Sequence, residues 1–273
     1  MRLDSVSQRY GLRGPWVLRD VSLSVPEGSL VRVEGGNGGG KSTLLRLVAA
    51  VCEPTRGRVR ERPQRRAYVP ERFPAALPFT AHAYLCHLGR VHGLRGSEPA
   101  RRADAALERF GAAAFAHRQL RELSKGTCQK VAVAQALLGE PELLVLDEAW
   151  TGLDAEARGA LDDAVGERVG AGGTVVFVDH DPTRLAGLPD RYWLVGAGRV
   201  RESDLARTGA GAPCRIVLSG RPGGAKGLDE LAGVLAVAEL GGDRLRLTAA
   251  AESSDDLLRT LLADPAVHVE SVR

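Results

Sequence analysis

The segment Gly35-Gly36-Asn37-Gly38-Gly39-Gly40-Lys41-Ser42-Thr43 decides the fold. It matches the pattern G-x-x-x-x-G-K-[ST], in which a glycine-rich turn is followed by a lysine and a hydroxyl residue. A short apolar strand is predicted before it at Leu30–Glu34, and a helix of about ten residues is predicted from Lys41 to Ala50. A strand, a glycine-rich turn and a helix in this order are the context that a phosphate-binding loop requires.

Each residue type in this loop suits a triphosphate. Glycines allow backbone N–H groups to approach phosphate oxygens closely, and the N-terminus of the following helix adds a positive dipole end. Lys41 would place a positive charge on the β- and γ-phosphates, and the Ser42 hydroxyl would hold Mg²⁺. The alternative is a flexible turn without a ligand, but the flanking strand and helix favour the phosphate loop. We therefore predict binding and hydrolysis of a nucleoside triphosphate, with ATP as the expected nucleotide.

A second motif follows about a hundred residues later in the chain. The apolar strand predicted at Leu143–Leu146 ends in Asp147 and Glu148. Ligands of parallel sheets bind at the carboxyl ends of the strands, so these acids are expected at the nucleotide. Asp147 would support Mg²⁺, and Glu148 would polarise the attacking water as a general base. A solvated acidic strand end is the simpler reading of this motif alone, and the phosphate loop argues against it.

Strands alternate with helices along most of the chain, which predicts an α/β fold with a parallel sheet. The stretch from Thr80 to Leu123 is helical in pattern and is broken by Gly93, Gly96 and Pro99. The remaining predicted elements are strands at Leu18–Val25 and within 57–69, helices from about Gly126 to Leu138 and from Asp154 to about Arg168, a strand at Thr174–Asp179, a short helix, and a strand at Arg191–Val195.

The composition shifts near residues 206–213, which are predicted to be a linker. Residues 214–273 are predicted to form a small α+β domain of ferredoxin-like type. Its predicted elements are strands at Cys214–Leu218, Arg244–Thr248 and Val267–Val272, and helices at Leu228–Leu235 and Ser254–Leu262. No cluster of catalytic residue types occurs there, so an interaction or regulatory role is expected.

The bulk composition excludes several classes of protein. A formal net charge of +3 gives no general affinity for nucleic acid or anionic membranes. The four cysteines are far apart and form no C-x-x-C pair, which argues against a zinc site or a disulfide framework and favours a reducing compartment. No apolar run resembles a signal peptide or reaches the ~18 residues of a membrane span. Any work at a membrane is therefore expected to require a partner.

Several further segments are informative through their order along the chain. They are Tyr10, Tyr68-Val69-Pro70-Glu71, Leu123-Ser124-Lys125-Gly126-Thr127, Thr151-Gly152-Leu153-Asp154, and His180 after a predicted strand. With them, about residues 1–205 resemble the nucleotide-binding subunits of ABC (ATP-binding cassette) transporters. The resemblance implies a P-loop core with an antiparallel β subdomain and a helical subdomain at about 80–138. It also implies an ATPase that uses Mg²⁺.

The resemblance implies a role for each of these residues. Tyr10 would stack on the adenine, with Trp16 as its rival, and His180 would hydrogen-bond the γ-phosphate. Ser124, Lys125 and Gly126 open a helix and would complete the nucleotide site of a second subunit. Besides the phosphate loop Gly35–Thr43, the implied nucleotide contacts are Tyr10, Glu71, Ser124, Lys125, Gly126, Asp147 and Asp154. The implied metal ligands are Ser42, Glu71 and Asp147, and the implied catalytic residues are Lys41, Glu148 and His180.

Two positions depart from the family pattern. Glu71 replaces the usual Gln, which keeps an oxygen donor for Mg²⁺ but adds a negative charge near the triphosphate. Lys125 and Thr127 replace Gly and Gln in the signature segment. If Lys125 obstructs closure, the shared site is weakened or asymmetric, so a homodimer is favoured and a heterodimer stays open.

The predicted function is that of an ATP-hydrolysing subunit of a membrane exporter, bound to a multi-span permease at the cytoplasmic face of the membrane. The apolar run Phe73–Phe79 is the expected contact with the permease. One alternative is a soluble ABC ATPase of DNA repair or translation, although the long insertions, duplicated cassettes and basic patches of that class are missing. The other is a weakly active regulatory module, which the departures at Glu71 and Lys125 would favour.

Overall fold

The computed structural model describes residues 1–11, 13–203, 214–220, 228, 231–241, 244–249, 253–264 and 266–272. The chain divides into two compact units. The first comprises Met1–Pro182 and Pro189–Ser203, and the second comprises Thr183–Leu188 and the described residues beyond 203. The predicted linker at 206–213 lies outside the described residues, so the domain boundary stays a prediction.

A six-stranded sheet forms the centre of the first unit. Its strands, in spatial order, are β5 (Arg66–Val69), β6 (Leu143–Asp147), β7 (Thr174–Val178), β3 (Leu30–Glu34), β8 (Arg191–Gly196) and β9 (Arg199–Ser203). All neighbouring pairs are parallel except β8 and β9, which form an antiparallel hairpin that the sequence did not predict. Because β6, β7 and β3 are adjacent and parallel, their carboxyl ends lie side by side.

A three-stranded antiparallel sheet packs into the same core. Its strands, in spatial order, are β2 (Trp16–Ser24), β1 (Arg2–Arg9) and β4 (Arg56–Arg60). Buried apolar residues of β1 and β2 join the buried face of helix α1 (Lys41–Val48), with Leu3, Val6, Leu18, Val21, Leu44 and Leu47 in one cluster. This packing holds the start of α1, and therefore the phosphate loop, against two sheets.

Four longer helices complete the first unit: α2 (Ala81–Val91), α3 (Glu98–Arg109), α4 (Lys125–Leu137) and α5 (Ala155–Gly170). Side-chain oxygens of Thr80, Ser124 and Asp154 cap α2, α4 and α5 by accepting from a backbone N–H of the first turn. As predicted, the helical stretch breaks at Gly93, whose φ of +87° suits glycine, and α3 carries Pro99 in its first turn.

One predicted element of the first part of the chain is wrong. The short helix expected between Asp179 and Arg191 is absent, and residues 182–187 form turns instead. Leu185 and Gly187 have φ values of +51° and +78°, which no α-helix contains, and Pro189 lacks the backbone N–H that a helix would need.

The second unit contains a four-stranded antiparallel sheet in the order β11 (Val234–Gly241), β12 (Arg244–Ala249), β10 (Cys214–Ser219), β13 (His268–Val272). Helix α6 (Ser254–Leu262) has the predicted bounds, and its Leu257 and Leu261 are buried with Ile216 and Leu218. The helix predicted at Leu228–Leu235 is wrong at its end, because residues 231–233 form a turn and Val234 begins β11. Residues 229–230 lie outside the described residues.

Candidate active site

The phosphate loop joins the end of β3 to α1, as predicted. Two glycines carry its shape: Gly35 has φ +146° and Gly40, the residue that precedes α1, has φ +105°. A Cβ atom on Gly35 would lie 2.2 Å from the carbonyl oxygen of Val195, so no other residue fits there without moving β8. The chain can therefore turn sharply and aim backbone N–H groups into the space above α1.

Lys41 closes over this loop. Its Nζ donates hydrogen bonds to the carbonyl oxygens of Gly35, at 2.8 Å, and Gly36, at 3.2 Å. The first turn of α1 contains no acidic residue, so neither the dipole of α1 nor the ammonium is neutralised within that turn. The loop therefore combines two sources of positive potential at one point, which favours a phosphate.

A cleft of about 380 Å³ lies beside the loop, a size that suits a small ligand. Its lining residues are Val17, Asn37, Gly38, Gly39, Gly40, Lys41, Ser42, Thr43, Glu71, Glu148 and His180. The fold thus brings the phosphate loop together with three predicted site residues from distant parts of the chain.

Asp147 lies behind the cleft at the end of β6 and is 1% exposed. Its two carboxylate oxygens accept from different hydroxyls: Ser42 Oγ donates to Oδ1 at 3.0 Å, and Tyr68 Oη donates to Oδ2 at 2.8 Å. Burial, and next the charge of Asp147, raises the pKa of Tyr68 well above its usual range, so its hydroxyl stays protonated as a donor. Both partners hold the carboxylate, which in turn orients Ser42.

Glu148 and His180 meet at the cleft. His180 Nε2 lies 2.7 Å from Glu148 Oε1. Glu148 has φ +55°, which is uncommon for a residue with a side chain, and its N–H donates to the carbonyl oxygen of Val178 at 3.1 Å. Strain of this kind is held in place by its surroundings and is frequent at functional sites. Here the left-handed turn directs the chain away from β6 while the carboxylate contacts the histidine.

The predicted signature residues do not line this cleft. Ser124 caps α4, where its Oγ accepts from the Thr127 N–H at 3.1 Å. Lys125 lines a separate cleft of about 370 Å³, together with Glu71, Arg72, Phe73, Ala75, Leu123, Cys128 and Gln129. Asp154 caps α5 and pairs with Lys130 at 2.5 Å. The hydrogen bond from Lys130, and next that from the Ala157 N–H, lowers the pKa of Asp154.

Gly126 brings the signature segment against the loop that contains Gly152. A Cβ atom on Gly126 would lie 2.7 Å from the carbonyl oxygen of Gly152, and Gly152 itself has φ +85°. Close approach of two backbones thus links the starts of α4 and α5. The same contact explains why glycine is needed at 126 even apart from a nucleotide.

We expect Gly126→Ala to destabilise the protein, because the neighbouring atom is backbone and cannot rotate away. Overpacking of this kind costs about 1–3 kcal/mol. The matched control is Gly159→Ala in α5, where a Cβ atom meets nothing within 4 Å. Alanine there should stabilise the exposed helix by about 0.5–1 kcal/mol. Urea denaturation of both variants measures the two changes, and equal changes would contradict the close approach at Gly126.

Tyr10 lies at the edge of the loop without lining the cleft. Its Oη lies 3.0 Å from Thr43 Oγ1, accepts weakly from Arg46 at 3.4 Å, and the residue is 50% exposed. The rival Trp16 has the guanidinium groups of Arg9 and Arg56 at 4.9 and 5.1 Å from its ring centroid. Cations already occupy the indole, so the exposed ring of Tyr10 is the better aromatic for a base. Its stacking role stays a prediction.

Sequence reasoning assigned no role to two side chains that the structure connects to the site. The sequence pattern places Tyr68 in the segment Tyr68–Glu71 without a role, and it predicts no role for Gln129. Gln129 is buried and its Nε2 donates to the carbonyl oxygen of Ala149, at 3.2 Å, which ties α4 to the segment after Glu148. Tyr68 lies in β5 opposite Val145 of β6, so a prediction that β5 pairs with β6 was the signal that would have found it.

Comparisons with known proteins agree with the family that these motifs indicate. A family profile described as ABC transporter matches residues 18–151. The zinc import ATP-binding protein ZnuC of Cereibacter sphaeroides is 42% identical over 183 residues, which cover 64% of this chain and 71% of the relative. The chain belongs to the ATP-binding proteins of the ABC transporter family.

Solved structures support the family assignment. A structure described as the ATP-binding subunit of an ABC transporter aligns with this ABC protein with a TM-score of 0.68 and 28% identity, covering 77% of this chain and 95% of that chain. A dimeric ATP-binding cassette in a post-hydrolysis state, bound to ADP and Pi, aligns with a TM-score of 0.63 and 26% identity, covering 74% and 97%. The predicted ABC-type fold and ATPase class are thereby confirmed: the chain is an ABC ATPase that binds ATP.

Proposed function

We propose that this ATPase is the energy-coupling subunit of a membrane transporter. The observation that carries the proposal is the 380 Å³ cleft in which Lys41, Glu148 and His180 converge. A phosphate loop alone would serve a binding protein, but an acid–histidine pair facing it provides for attack on the terminal phosphate. The known transport relatives support the coupling role.

The proposed reaction uses these residues in fixed roles. Backbone N–H groups of Gly35–Thr43 and the Lys41 ammonium bind the β- and γ-phosphates. Glu148 accepts a proton from a water whose oxygen forms a bond to the γ-phosphorus, while the bond from phosphorus to the β–γ bridging oxygen breaks. ADP leaves with the electron pair and the negative charge of the former bridging oxygen, inorganic phosphate leaves with the oxygen of the water, and Glu148 releases its proton to solvent. His180, held by Glu148 at 2.7 Å, contacts the γ-phosphate.

The residues present fit a magnesium ion. Within the described part of the chain no three His, Cys, Asp or Glu side chains could hold a metal by themselves. Mg²⁺ needs less than that, because it takes one or two carboxylates or hydroxyls and completes its shell with phosphates and water. Ser42 and Glu71 line the cleft and Asp147 holds Ser42, so these three would hold the ion. Bound there, Mg²⁺ would neutralise charge on the phosphates.

We expect Tyr68→Phe to raise the Mg²⁺ concentration for half-maximal ATPase activity by about tenfold, since partners of metal-site ligands carry effects of this size. The variant removes the donor to Asp147 Oδ2 and keeps the ring. Tyr84→Phe is the matched control, because Tyr84 is half-buried like Tyr68 and donates to Gln135 Oε1, at 2.9 Å, outside the cleft. An unchanged Mg²⁺ dependence in Tyr68→Phe would show that Asp147 does not need this support.

A second ATP-binding subunit is part of the proposal. Ser124, Lys125 and Gly126 begin α4, whose first turn contains no acidic residue, yet they do not line the chain's own cleft. A helix N-terminus of this kind suits a phosphate presented by another copy. The solved dimeric cassette supports such an arrangement, and two copies of this chain are the simplest pair. A heterodimer would follow if Lys125 blocks one of the two sites.

A transmembrane permease is the other proposed partner. None of the described helices is both long and apolar enough to cross a membrane. The 370 Å³ cleft between Glu71–Ala75 and the start of α4 is where a permease segment would contact this subunit, because it adjoins the nucleotide cleft through Glu71. The subunit would then act on the inner face of the membrane. Relatives named as zinc importers do not support the predicted exporter, so the proposal concerns coupling and not direction.

The test combines two measurements. Purified protein should hydrolyse ATP, and expression at native level should allow its co-purification with a multi-span membrane protein. If the protein hydrolyses ATP but no membrane protein co-purifies with it, a soluble ABC ATPase would be favoured. Co-purification with no measurable ATPase activity, even in the complex, would favour a regulatory module instead.

A further inference from the structure

Arg32 is a buried cation in the parallel sheet. It lies in β3, just before the phosphate loop, and is 4% exposed. A guanidinium remains charged at every pH at which proteins fold, and burying it costs free energy unless charges and acceptors surround it. Most residues of a central parallel strand are apolar, so a buried arginine here calls for a specific set of partners.

Two of the residues that Arg32 contacts, Asp179 and Asp181, lie on either side of His180 in the chain. One terminal nitrogen donates to the backbone carbonyl oxygen of Asp181 at 2.9 Å and, more weakly, to that of Asp179 at 3.4 Å. Its Nε lies 3.0 Å from Glu34 Oε1, and its guanidinium carbon lies 5.5 Å from the ring centroid of Phe177. The side chain therefore contacts residues Asp179–Asp181, here called the histidine loop, while Glu34 balances its charge.

One further hydrogen bond shapes the histidine loop from within. The loop follows β7, the strand that pairs with β3, and Asp181 N–H donates to Asp179 Oδ1 at 2.7 Å. That bond sets the local turn but does not attach it to the sheet. Arg32 attaches this turn to β3. His180, the residue between its two acceptors, has its ring nitrogen Nε2 2.7 Å from Glu148 Oε1.

We propose that Arg32 is a positioning residue for His180 in ATP hydrolysis. The inference rests on the role proposed above for His180. Because β3 carries both Arg32 and the phosphate loop, a single strand sets the distance between the histidine and the bound phosphates. An arginine fits this task better than a lysine, since its planar guanidinium places Nε beside Glu34 while a terminal nitrogen reaches the two carbonyl oxygens.

The experiment is a double-mutant cycle in the full chain, with Arg32→Met, His180→Ala and the double variant. Arg32→Met should lower kcat by about tenfold, as small misplacements of reacting groups do, and should leave KM for ATP nearly unchanged because the loop is intact. In the His180→Ala background the same substitution should change kcat by less than about twofold. A residue that is merely structural would lower kcat equally in both backgrounds.

Two further variants complete the experiment. Arg32→Lys keeps the buried charge without the planar guanidinium and should give an intermediate kcat. If Arg32→Met does not fold, the cycle is run with Arg32→Lys, whose normal kcat would overturn the proposal. Arg102→Met is the control, since Arg102 bridges Glu98 and Glu140 away from the cleft; it should weaken stability and leave kcat alone.

The outcomes distinguish the role proposed for His180 from the role proposed for Arg32. If His180→Ala has normal kcat, the role proposed for His180 is wrong, and the role of Arg32 fails with it. If His180→Ala is slow but Arg32→Met is normal, or if their effects multiply, the Arg32 inference alone is wrong. A slow Arg32→Met whose effect vanishes in the His180→Ala background supports both.

Discussion

Replacing Glu148 with Gln should reduce kcat for ATP hydrolysis by about 10²–10⁴-fold, the contribution expected of a general base. The amide cannot accept the proton of the attacking water, and it loses the charge that faces His180 at 2.7 Å. ATP binding should persist, because the phosphate loop is untouched. We therefore expect the variant to accumulate in the ATP-bound, dimeric form, which size-exclusion chromatography with ATP can detect.

The control for this substitution lies at the opposite end of the same strand. Glu142 precedes β6, is exposed, and accepts from the backbone N–H groups of Gln64 and Arg65. Glu142→Gln has the same change in charge and size and should leave kcat unaltered. If Glu148→Gln kept full turnover, the carboxylate of Glu148 would not be the general base, and other groups would have to position the water.

Replacing Lys41 with Ala should weaken ATP binding by about 3 kcal/mol, or about a hundredfold, the loss expected for hydrogen bonds to charged groups. In the structure the ammonium is held by the carbonyl oxygens of Gly35 and Gly36, so it already lies over the loop that receives the phosphates. Isothermal titration with ATP measures the loss directly.

The matched control is Lys130→Ala, which removes a lysine that pairs with Asp154 and does not line the cleft. That variant should keep its affinity for ATP. Equal affinities of Lys41→Ala and the unchanged protein would mean that the backbone N–H groups and the dipole of α1 alone hold the phosphates. AMP should bind both forms similarly, because Lys41 acts on the β- and γ-phosphates.

Local signals predicted the strands and helices that carry the phosphate loop, and they did so for clear physical reasons. The glycines of the loop, the apolar run before Asp147 and the capping residues Ser124 and Asp154 each act within one turn of chain. Prediction was poorer where contacts between residues distant in the chain determine the secondary structure. The hairpin strand Arg199–Ser203 and the strand Val234–Gly241 gain their structure from pairing with other strands. The turn-rich segment after His180 was wrongly given a helix.

The roles assigned to site residues remain predictions, but their positions now have a structural basis. Lys41, Glu71, Glu148 and His180 share one cleft, as the motif order suggested. Ser124, Lys125 and Asp154 lie outside it, so whether they contact a nucleotide depends on a second subunit. Their capping hydrogen bonds and the Lys130 ion pair stabilise this chain by itself.

The sequence by itself determined which chemistry this protein can perform, because a phosphate loop and an acidic strand end are short motifs whose chemistry depends on adjacent residues. Tertiary structure alone decided how that chemistry is supported. Tyr68 reaches Asp147 only because β5 pairs with β6, and Arg32 reaches the carbonyl groups around His180 only because β3 pairs with β7. Contacts between residues so far apart in the chain arise from strand order, which no local pattern encodes.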